Sequence, residues 1–512
     1  MQIYSDKCFE KPVRIIEAEE NLQEALNEID KLRKKYFLLG YITYDFKKLY
    51  FEVFDKYKKY TPAKSKQLGT IIRPKITKEQ YINAIEKIKQ YISEGVTYEV
   101  NYTYPSEVLT NLDGIELFEA LLDKQKTPYN TFIKNKYTTL LSFSPELFFR
   151  LEGRKITTKP MKGTAPKLDD GKDEERRAFL YNDIKHRAEN IMIVDLLRND
   201  LGRIAKTGTV KVNKLFEIEE HPTVYQMTSE VSAILEDRIS LFDIFKAIFP
   251  CGSITGAPKV STMKVIDELE PFDRNIYCGA IGYLSPDICE FSVTIRILYG
   301  NNHKYTYHAG GAVVWDSNAE DEWEETLTKT KFLQTDFQLI ETGTDDWENH
   351  IQRMKKSAAA LNFKWNSSIK NIKGTKRVLL NRDGSFEIQE KTFLPIISNK
   401  IRLGRKTNSA NPFLYHKTTI RESAPDDIFD IIGINERGEI TEGTFTNIAV
   451  QINGELYTPP VECGLLAGTF RAKLLEQGKI KEKVLYPSDL EKAEKIFCFN
   501  SVRKMVEVEL CS

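Results

Sequence analysis

The length of the chain restricts its fold more than any other feature. A single hydrophobic core seldom grows beyond about 250–300 residues, and this chain has 512. Its composition is 41% apolar and 29% charged, which is typical of globular proteins and argues against disorder or a collagen-like repeat. We therefore expect two or three folded domains.

Charge and cysteine usage argue against several classes of protein. Lysine plus arginine equals aspartate plus glutamate at 74 each, so no global field favours nucleic acid or an anionic membrane. The seven cysteines never form a C-x-x-C pair, which argues against a disulfide framework or a zinc-thiolate site. The sequence shows neither a signal-peptide pattern nor a run of 18 apolar residues. We expect a cytoplasmic protein that binds neither nucleic acid nor a membrane.

Periodic patterns divide the chain near residue 335. Apolar residues at helical spacing predict four helices, which are 77–95, 183–201, a segment after Leu241, and 320–333. Alternating residues predict strands in FSVTIRILY and TYHAGGAVVW. DFQLIET and WENHIQRMKKSAAALNF then predict a new strand and helix. We expect one domain over residues 1–335, whose first 72 residues form strands and loops, and a second over 336–512.

Two acidic patterns lie on predicted helices of the first domain. Glu189 lies in DIKHRAENIMIVDLLRNDLGR. Glu322 and Glu325 lie in DEWEET, where a separation of three places both carboxylates on one helical face. Two like charges this close repel unless a cation lies between them, and carboxylate oxygens suit Mg²⁺. Taken singly, each pattern also fits a salt-bridged, solvated helix.

Two further segments combine glycine and proline with reactive side chains. TKPMKGTAP at 158–166 carries Lys162, and PCGSITGAPK at 250–259 carries Thr255. Either segment alone would also fit a surface turn, although its glycines would let a ligand approach the backbone closely.

The joint order of these motifs closely resembles the chorismate-utilising enzymes. This family includes component I of the anthranilate and aminodeoxychorismate synthases and the isochorismate and salicylate synthases. The motif core covers residues 75–333 and includes GVTYEVN, SPELFF, KPMKGTAP, AENIMIVDLLRNDLG, GSITGAPK, YCGAIGY, FSVTIR, HAGGAVVWDS and EWEET. The resemblance implies an α/β sandwich with a large antiparallel sheet core.

The resemblance also implies how an anionic substrate would be held. Glu189 and Glu322, assisted by Glu325, would hold Mg²⁺ against the ring carboxylate of chorismate. Arg296, on the FSVTIR strand, would pair with the pyruvyl carboxylate through its guanidinium fork.

Other positions would supply hydrogen bonds and the proton for the leaving group. The resemblance assigns further donors to the Thr255 hydroxyl and to the backbone of Gly310 and Gly311. It assigns the general acid that protonates the departing C4 hydroxyl to Glu146 in SPELFF.

Lys162 separates the members of this family. Lysine in PMKGT is typical of aminodeoxychorismate synthases, whereas anthranilate synthases carry alanine there. The resemblance implies that Lys162 attacks ring C2 as the C4 hydroxyl leaves, after which ammonia enters at C4 and expels the lysine. Such a lysine must be partly desolvated or lie beside other cations, so that its amine is available near neutral pH.

The source of the ammonia lies outside the recognisable motifs. None of the seven cysteines occurs in a G-x-C-x-G-type elbow with a downstream histidine. We therefore expect a separate glutamine amidotransferase subunit to supply ammonia.

Residues 336–512 resemble a second family, the fold-type IV pyridoxal phosphate enzymes, which includes aminotransferases and aminodeoxychorismate lyase. The motifs are HIQRMKKS, YHKTTIRE, GEITEGTFTNI, CGLLAGTFR and FCFNSVR. The strand and G-D-G-x-F turn that usually precede them are missing, so we expect a shortened α+β domain. A homodimer through this region is the assembly that the family suggests.

The second resemblance implies the roles of the residues around the cofactor. Lys417 would carry the cofactor covalently and shuttle the proton, and Glu442 would pair with the pyridine nitrogen. The groups implied for the phosphate end are Arg353, the backbone amides of Gly468 and Thr469, and Asn447.

Together the two resemblances imply synthesis of 4-aminobenzoate for folate, by a transferase step that aminates chorismate and a lyase step that eliminates pyruvate. Two alternatives stay open. One is an anthranilate or isochorismate synthase fused to an aminotransferase, and Lys162 counts against it. The other is an active synthase whose C-terminal region only docks a partner, and Lys417 and Glu442 count against it.

Overall fold

The chain contains both helices and strands along its whole length, and many of the strands follow one another directly. The structure is a computed structural model that describes residues 1–168, 170–220, 224–392, 395–422, 424 and 427–511. Its α-helices within these ranges, from α1 to α11 in chain order, are Gln23–Leu32, Lys78–Ser93, Gly114–Leu122, Asp173–Asn182, Ile184–Gly202, Leu241–Ile248, Lys259–Leu269, Ala319–Thr328, Trp347–Ala360, Thr469–Glu476 and Pro487–Glu491. None of these helices is both long enough and apolar enough to cross a bilayer.

Two large antiparallel sheets form the N-terminal part. Their strands, β1 to β20, are Gln2–Tyr4, Lys7–Phe9, Arg14–Glu19, Phe37–Ile42, Lys48–Phe54, Lys58–Lys59, Thr70–Pro74, Glu99–Thr110, Tyr129–Lys134, Thr139–Ser144, Leu147–Glu152, Lys155–Lys159, Met161–Pro166, Lys211–Glu220, Val224–Ile234, Gly256–Ala257, Ala280–Leu284, Cys289–Val293, Ile297–Asn301 and Lys304–Val313. The first sheet has the order β16-β8-β20-β19-β10-β9-β1-β2-β6, with β7 beside β8. The second has the order β13-β15-β12-β11-β18-β17-β4-β5-β3, with β14 beside β15.

The two sheets pack on each other and on helices. Tyr4 of β1 stacks on Tyr283 of β17, with ring centroids 4.6 Å apart, and its hydroxyl donates a hydrogen bond to Glu290 of β18. One apolar core joins residues of both sheets with those of α1 and α6. A second core packs α2, α3, α7 and α8 on the first sheet. The expected sandwich with an antiparallel sheet core is confirmed.

The first 72 residues contain a helix as well as strands. The sequence predicted only strands and loops there, and α1 contradicts that prediction. Ala25, Leu26 and Ile29 are buried along one side of α1, which is the spacing of an amphipathic helix.

The helix predicted after residue 77 is confirmed, with a capping box at its start. The Thr77 hydroxyl accepts a hydrogen bond from the backbone amide of Gln80 at 3.2 Å. The Gln80 side chain accepts one from the Thr77 amide at 2.8 Å, so two otherwise unpaired donors are satisfied. The helix ends at Ser93, two residues before Gly95, whose φ is +73°.

FSVTIRILY was predicted as one strand, but the structure divides it between the two sheets. β18 ends at Val293 in the second sheet and β19 begins at Ile297 in the first. Arg296 lies at the break with φ at +50°, and its carbonyl accepts a hydrogen bond from the amide of Phe143 at 3.0 Å. The placement of Arg296 on a strand is therefore wrong. Both halves of the segment are buried, so their apolar residues form one continuous pattern. That pattern does not show where the strand is interrupted.

The C-terminal part contains a small antiparallel sheet and a larger mixed one. Their strands, β21 to β30, are Leu339–Gly343, Lys376–Leu380, Phe386–Glu390, Lys400–Lys406, Asp430–Ile434, Asn447–Ile452, Glu455–Thr458, Lys481–Glu482, Lys495–Asn500 and Lys504–Leu510. The sheet orders are β21-β22-β23 and β25-β24-β30-β29-β26-β27-β28, and β24 pairs in parallel with β25 and β30. This mixture of helices and sheets is the expected α+β arrangement.

The N-terminal and C-terminal parts are packed together through apolar side chains. Ile71 of β7 is fully buried in a cluster that includes Phe337, Leu339 and Phe413. The chain passes between the parts after a 3₁₀ turn over Lys331–Leu333. We propose that the domain boundary lies near residue 335, between this turn and β21.

Candidate active sites

The N-terminal part contains a cavity of about 690 Å³, here called the N-terminal cavity. The residues predicted from sequence that line it are Glu146, Lys162, Glu189, Arg296, Gly310, Gly311, Glu322 and Glu325. β13 supplies Lys162, α5 supplies Glu189 and α8 supplies Glu322. Charges of both signs therefore meet in a space large enough for a small organic anion.

Thr255 is the predicted residue that does not line this cavity. Its hydroxyl is fully buried and donates a hydrogen bond to the carbonyl of Cys251 at 3.0 Å. The hydroxyl stabilises its own turn, and Ser253 of the same segment lines the cavity instead.

Lys162 is buried and contacts a carboxylate. Its Nζ atom lies 2.6 Å from Oε1 of Glu99. Burial favours the neutral amine, but the charges of Glu99, Glu189 and Glu146 raise the pKa of Lys162 above its ordinary value. The lysine is desolvated as expected, but its charged neighbours are carboxylates and not the cations that the sequence argument allowed for.

Glu146 lies in the short turn between β10 and β11, with its side chain buried. Burial raises the pKa of Glu146 to about 7, although a hydrogen bond from Ser253 and the charge of Lys162 oppose that shift. The Ser253 hydroxyl donates to Oε1 of Glu146 at 2.6 Å. A carboxyl group in this state holds its proton near neutral pH and can give it to a leaving group.

Three more carboxylates face the cavity with different electrostatic surroundings. Burial raises the pKa of Glu189 to about 7. Burial also raises the pKa of Glu322, whose Oε1 atom accepts a hydrogen bond from the Ser317 hydroxyl at 2.7 Å. Glu325 has a lowered pKa because Lys329 lies 2.7 Å from its Oε1 atom.

The donor chemistry of these carboxylates suits Mg²⁺. A Cβ atom placed on Gly311 would lie 3.1 Å from Oε2 of Glu322 and 3.7 Å from Oε1 of Glu325, so both carboxylates point to a spot that the glycine leaves open. Lys185 lies 3.7 Å from Oε1 of Glu322. Within the described ranges, no three acidic, histidine or cysteine side chains are gathered closely enough to form a metal centre. The oxygen donors fit a hard cation, but they do not form a coordination sphere.

Arg296 provides a positive group without a partner. The structure gives its guanidinium no hydrogen bond or ion pair with any described residue, and burial lowers its pKa. The left-handed backbone at this position places the side chain at the cavity wall. A partly buried arginine of this kind suits a carboxylate ligand.

Gly310 and Gly311 form part of β20 beside β8. A Cβ atom on Gly310 would lie 2.3 Å from the carbonyl oxygen of Tyr102, so glycine permits the close pairing of these strands. The Gly310 carbonyl accepts a hydrogen bond from Nζ of Lys329 at 2.6 Å.

A second site surrounds Lys417 in the C-terminal part. The Lys417 carbonyl accepts a hydrogen bond from the amide of Ile340 at 3.0 Å, which ties this segment to β21. Burial lowers the pKa of Lys417 to about 7, and the charge of Glu341 opposes the shift. A neutral amine near pH 7 is the form that reacts with a carbonyl carbon.

Glu442 is buried next to an amide. Burial raises the pKa of Glu442 to about 7, while the charges of Arg421 and Arg405 oppose that rise. Nδ2 of Asn447 donates to Oε2 of Glu442 at 3.1 Å and to the Leu466 carbonyl at 3.0 Å. Asn447 therefore fixes the position of this carboxylate.

Arg353 forms a fork with a carboxylate that the sequence argument did not assign. Its Nε and Nη2 atoms lie 2.7 and 2.6 Å from the two oxygens of Glu341. Its Nη1 atom donates to the Ala467 carbonyl at 3.0 Å, directly before Gly468. His350 contacts Glu341 at 2.7 Å through Nδ1. Burial would raise the pKa of Glu341, but Arg353 and His350 hold it well below its usual range.

The residues predicted to bind the cofactor phosphate lie around the hydrogen bonds of Arg353, Glu341 and His350. Gly468 directly precedes α10, and Thr469 is the first residue of that helix. The Thr469 hydroxyl lies 3.3 Å from Nε2 of His350. Arg353, Gly468 and Thr469 are thus brought together, while the guanidinium is shared with Glu341.

Unsatisfied polar atoms mark space beside this site for an anionic group. Nε and Nη2 of Arg405 and the hydroxyls of Thr407 and Thr441 are buried without a hydrogen-bond partner among the described residues. All three side chains surround Gly433, where a Cβ atom would lie 2.4 Å from the Thr441 hydroxyl. Buried polar groups without partners are costly, and an anionic cofactor such as pyridoxal phosphate fits them.

The sequence argument missed four residues that contact predicted ones. Glu99 contacts Lys162, Ser253 contacts Glu146, Glu341 contacts Arg353, and His350 contacts Thr469. Three of the four lie in motifs already recognised, namely GVTYEVN, GSITGAPK and HIQRMKKS, and Glu341 belongs to the strand DFQLIET.

Two family profiles match different parts of the chain. The profile of the chorismate binding enzymes matches residues 54–335, and that of the class IV aminotransferases matches residues 402–511. The first match covers more than half of the chain. The chain belongs to the family of chorismate binding enzymes, and its C-terminal part carries a class IV aminotransferase domain.

Curated relatives match the N-terminal part. Component 1 of aminodeoxychorismate synthase from Escherichia coli is 40% identical over 274 residues, which is 53% of this chain and 60% of that protein. The Bacillus subtilis component 1 is 34% identical over 287 residues, covering 55% of this chain and 60% of the relative. Anthranilate synthase component 1 of Aquifex aeolicus is 34% identical over 278 residues, covering 54% and 56%. The match therefore spans about 60% of the relatives' own length.

Solved structures share the fold. Anthranilate synthase component I from Streptococcus pneumoniae superposes with a TM-score of 0.58 at 22% identity, covering 64% of this chain and 92% of that one. The menaquinone-specific isochorismate synthase MenF from Escherichia coli gives a TM-score of 0.55 at 18% identity, covering 65% and 88%. At this identity the likeness concerns the fold alone.

Proposed function

We propose that this chain makes 4-aminobenzoate from chorismate and ammonia in two steps, amination to 4-amino-4-deoxychorismate and elimination of pyruvate. The observation that carries the proposal is a buried lysine, Lys162, in a cavity that also contains carboxylates and the unpaired Arg296. The relatives named as aminodeoxychorismate synthase component 1 support it. The amination step is a transferase reaction. The 4-aminobenzoate that the two steps produce is used to make folate.

In the first step we assign the nucleophile to Lys162 and the acid to Glu146. Nζ of Lys162 forms a bond to ring C2, the ring double bonds shift, and the C4–oxygen bond breaks. Glu146 donates its proton so that the hydroxyl leaves as water. Ammonia then forms the C4–nitrogen bond, and the C2–Nζ bond breaks to release the lysine. Arg296 pairs with the pyruvyl carboxylate and fixes the ring between these groups.

Glu189, Glu322 and Glu325 are the residues that would hold Mg²⁺ in this cavity. When bound, Mg²⁺ neutralises the ring carboxylate of chorismate and withdraws electrons from the ring. Lys185 and Lys329, which contact two of these carboxylates, balance their charge in the structure described here.

In the second step we assign proton transfer to Lys417. Pyridoxal phosphate, when bound, supplies an electron sink for the substrate. Lys417 accepts the proton from C4 of aminodeoxychorismate, the bond to the pyruvyl oxygen breaks, and pyruvate leaves behind an aromatic ring. Glu442 would pair with the pyridine nitrogen. The groups that would hold the phosphate are Arg353, Gly468, Thr469 and Asn447.

The proposal includes partners and a location. A separate glutamine amidotransferase supplies ammonia, and the C-terminal domain forms a homodimer. We place the protein in the cytoplasm, where chorismate and reduced thiols are available.

Product analysis tests the proposal. Chorismate, ammonium and Mg²⁺ should give 4-aminobenzoate and pyruvate when pyridoxal phosphate is present, as measured by mass spectrometry. Lys417→Ala should lose the visible absorption of the bound cofactor and stop at aminodeoxychorismate, because the N-terminal cavity is unchanged. Lys373→Ala, which alters an exposed lysine, is the control and should behave as wild type. Release of 4-aminobenzoate by Lys417→Ala at the wild-type rate would show that the C-terminal part only docks a partner.

A further inference from the structure

We propose that Glu99, which contacts Lys162 but does not itself line the N-terminal cavity, is a catalytic residue that accepts a proton from the Lys162 amine when that amine attacks. This inference rests on the function proposed above for Lys162. It assigns a role to a carboxylate that none of the motif arguments used.

The contact between the two groups is short and isolated from solvent. Nζ of Lys162 lies 2.6 Å from Oε1 of Glu99, and the two side chains are 8% and 0% exposed. The second oxygen of Glu99, Oε2, is buried with no hydrogen-bond partner among the described residues. A carboxylate with one oxygen on the amine and one uncommitted oxygen can take up a proton without losing another contact.

The backbone holds Glu99 firmly in this position. Glu99 is the first residue of β8 and pairs with Ala257 of β16. Its carbonyl accepts a hydrogen bond from the Thr97 hydroxyl at 3.1 Å. A Cβ atom on Gly256 would lie only 1.9 Å from that carbonyl oxygen, so glycine allows β16 to close over the residue. The carboxylate is therefore placed by the fold and not by a flexible loop.

A purely structural role explains this pair poorly. Removing two charges from water costs more than their attraction usually returns, and apolar residues of similar volume often stabilise a core as well or better. The Glu270–Arg274 pair nearby illustrates a structural arrangement, because Arg274 also binds the backbone carbonyls of Ile254 and Asn101. Among the described residues, the Glu99 side chain forms a hydrogen bond only with Lys162.

The chemistry of the step needs such an acceptor. Carboxylates around Lys162 raise its pKa, so the resting amine is protonated and has no lone pair. Transfer of one proton from Nζ to Oε1 of Glu99 frees the lone pair that forms the C2–nitrogen bond. When ammonia displaces the lysine, the same proton returns to Nζ. No other reactant is required.

The other titratable groups that face Lys162 are less suited to this task. They are Glu146, Glu189 and His186. Glu146 must begin the step protonated, and its carboxyl is bonded to Ser253. Glu189 is the residue assigned to Mg²⁺. Burial lowers the pKa of His186, and within the described residues only Glu99 forms a hydrogen bond with the lysine.

The experiment compares Glu99→Gln with the wild-type full-length chain. Glutamine keeps the shape but cannot accept the proton, so kcat for aminodeoxychorismate formation should fall about 100-fold, with a smaller change in KM for chorismate. Lys162 must then release its proton to solvent. Below pH 7, where Glu146 keeps its proton, the variant's rate should therefore rise with pH at constant free ammonia, while the wild-type rate lacks this rise. A positioning role alone would not create that pH dependence.

Control variants separate the possible outcomes. Glu52→Gln alters another buried glutamate, bonded to Tyr50 on β5, and should keep the wild-type profile. If Glu99→Gln does not fold, Glu99→Asp decides, because it should lose rate but keep the pH profile. The role of Glu99 would be overturned if Glu99→Gln kept the wild-type kcat and pH profile. It would also be overturned if Glu99→Asp kept the wild-type kcat. If the wild type itself forms no aminodeoxychorismate, or Lys162→Ala forms it normally, the proposed function of the cavity fails instead.

Discussion

Lys162 is buried and Lys417 is half-buried, and the two lysines have opposite electrostatic surroundings. Carboxylates surround Lys162 and raise its pKa, whereas burial without a contacting carboxylate lowers that of Lys417 to about 7. The first lysine is stored in its protonated form and needs a base. The second is partly neutral at the pH of the cell. Both lysines were identified in the same way, as a lysine within a recognised motif. The difference between their pKa values therefore comes from the neighbours that packing brings together.

At the scale of single residues, Ser253 should influence the pKa of Glu146, the proposed acid of the first step. Burial raises the pKa of Glu146 to about 7, and the proposed mechanism uses its protonated form, so the wild-type rate should fall as the pH rises through about 7. The hydrogen bond from Ser253 stabilises the ionised carboxylate and lowers that pKa. Ser253→Ala should therefore move the falling limb to higher pH. The measurement is kcat/KM for chorismate against pH at constant free ammonia.

Ser261→Ala provides the matched control for this prediction. Ser261 donates only to a backbone carbonyl at an exposed position of α7, so its loss should leave the profile unchanged. A limb that stays in place, or moves to lower pH, in Ser253→Ala would contradict the assignment of Glu146 as the acid.

At the scale of elements, the start of α10 packs so closely against β26 that no space is left for an added side chain. A Cβ atom on Gly468 would lie 2.1 Å from Oδ1 of Asn447, the first residue of β26. Asn447 in turn holds Glu442 through a 3.1 Å hydrogen bond. A side chain at Gly468 thus displaces the helix terminus and the buried carboxylate together.

Gly468→Ala should therefore weaken binding of pyridoxal phosphate. We expect at least about a fivefold loss of affinity, because displacement of one buried hydrogen-bonded group costs roughly 1–3 kcal/mol. Titration of the cofactor absorption measures it. Gly202→Ala is the control, since a Cβ there meets nothing within 4 Å, and amination of chorismate should continue in both variants. Wild-type cofactor affinity in Gly468→Ala would show that this junction does not hold the cofactor.

At the scale of the whole molecule, the buried cysteines are poorly suited to the role of a glutaminase nucleophile. Six of the seven are buried, and burial raises the pKa of Cys251, Cys278 and Cys289 to about 12. Such thiols are poor nucleophiles because the thiolate is the reactive form. The purified chain should use ammonium salts and leave glutamine intact.

Release of glutamate measures the hydrolysis of glutamine directly. Aminodeoxychorismate formed with ammonium in the same preparation shows that the chain is active. Addition of a glutamine amidotransferase partner should then allow glutamine to replace ammonium. Sustained glutamate release by the chain alone would mean that it contains an amidotransferase site of its own.

The sequence alone determined the two families, several of the helices, a few of the strands, and the residue types that line the N-terminal cavity. These properties depend on short-range information, because apolar spacing sets α2 and α5 and each motif keeps its residues together. Local information also includes the helical spacing of Ala25, Leu26 and Ile29 in α1, although that helix was not predicted, and it placed Arg296 on a strand. It also assigned Thr255 to the substrate, although the hydroxyl bonds its own turn.

Tertiary structure decided which groups touch. Glu99 and Lys162 are 63 residues apart in the chain, and Ser253 and Glu146 are 107 apart. No local pattern encodes such contacts, because they depend on how β8, β13 and the turn before α7 are packed. Coulomb energies and desolvation change over a few ångströms, so the protonation state of each lysine and glutamate was settled only when the folded chain brought these neighbours together.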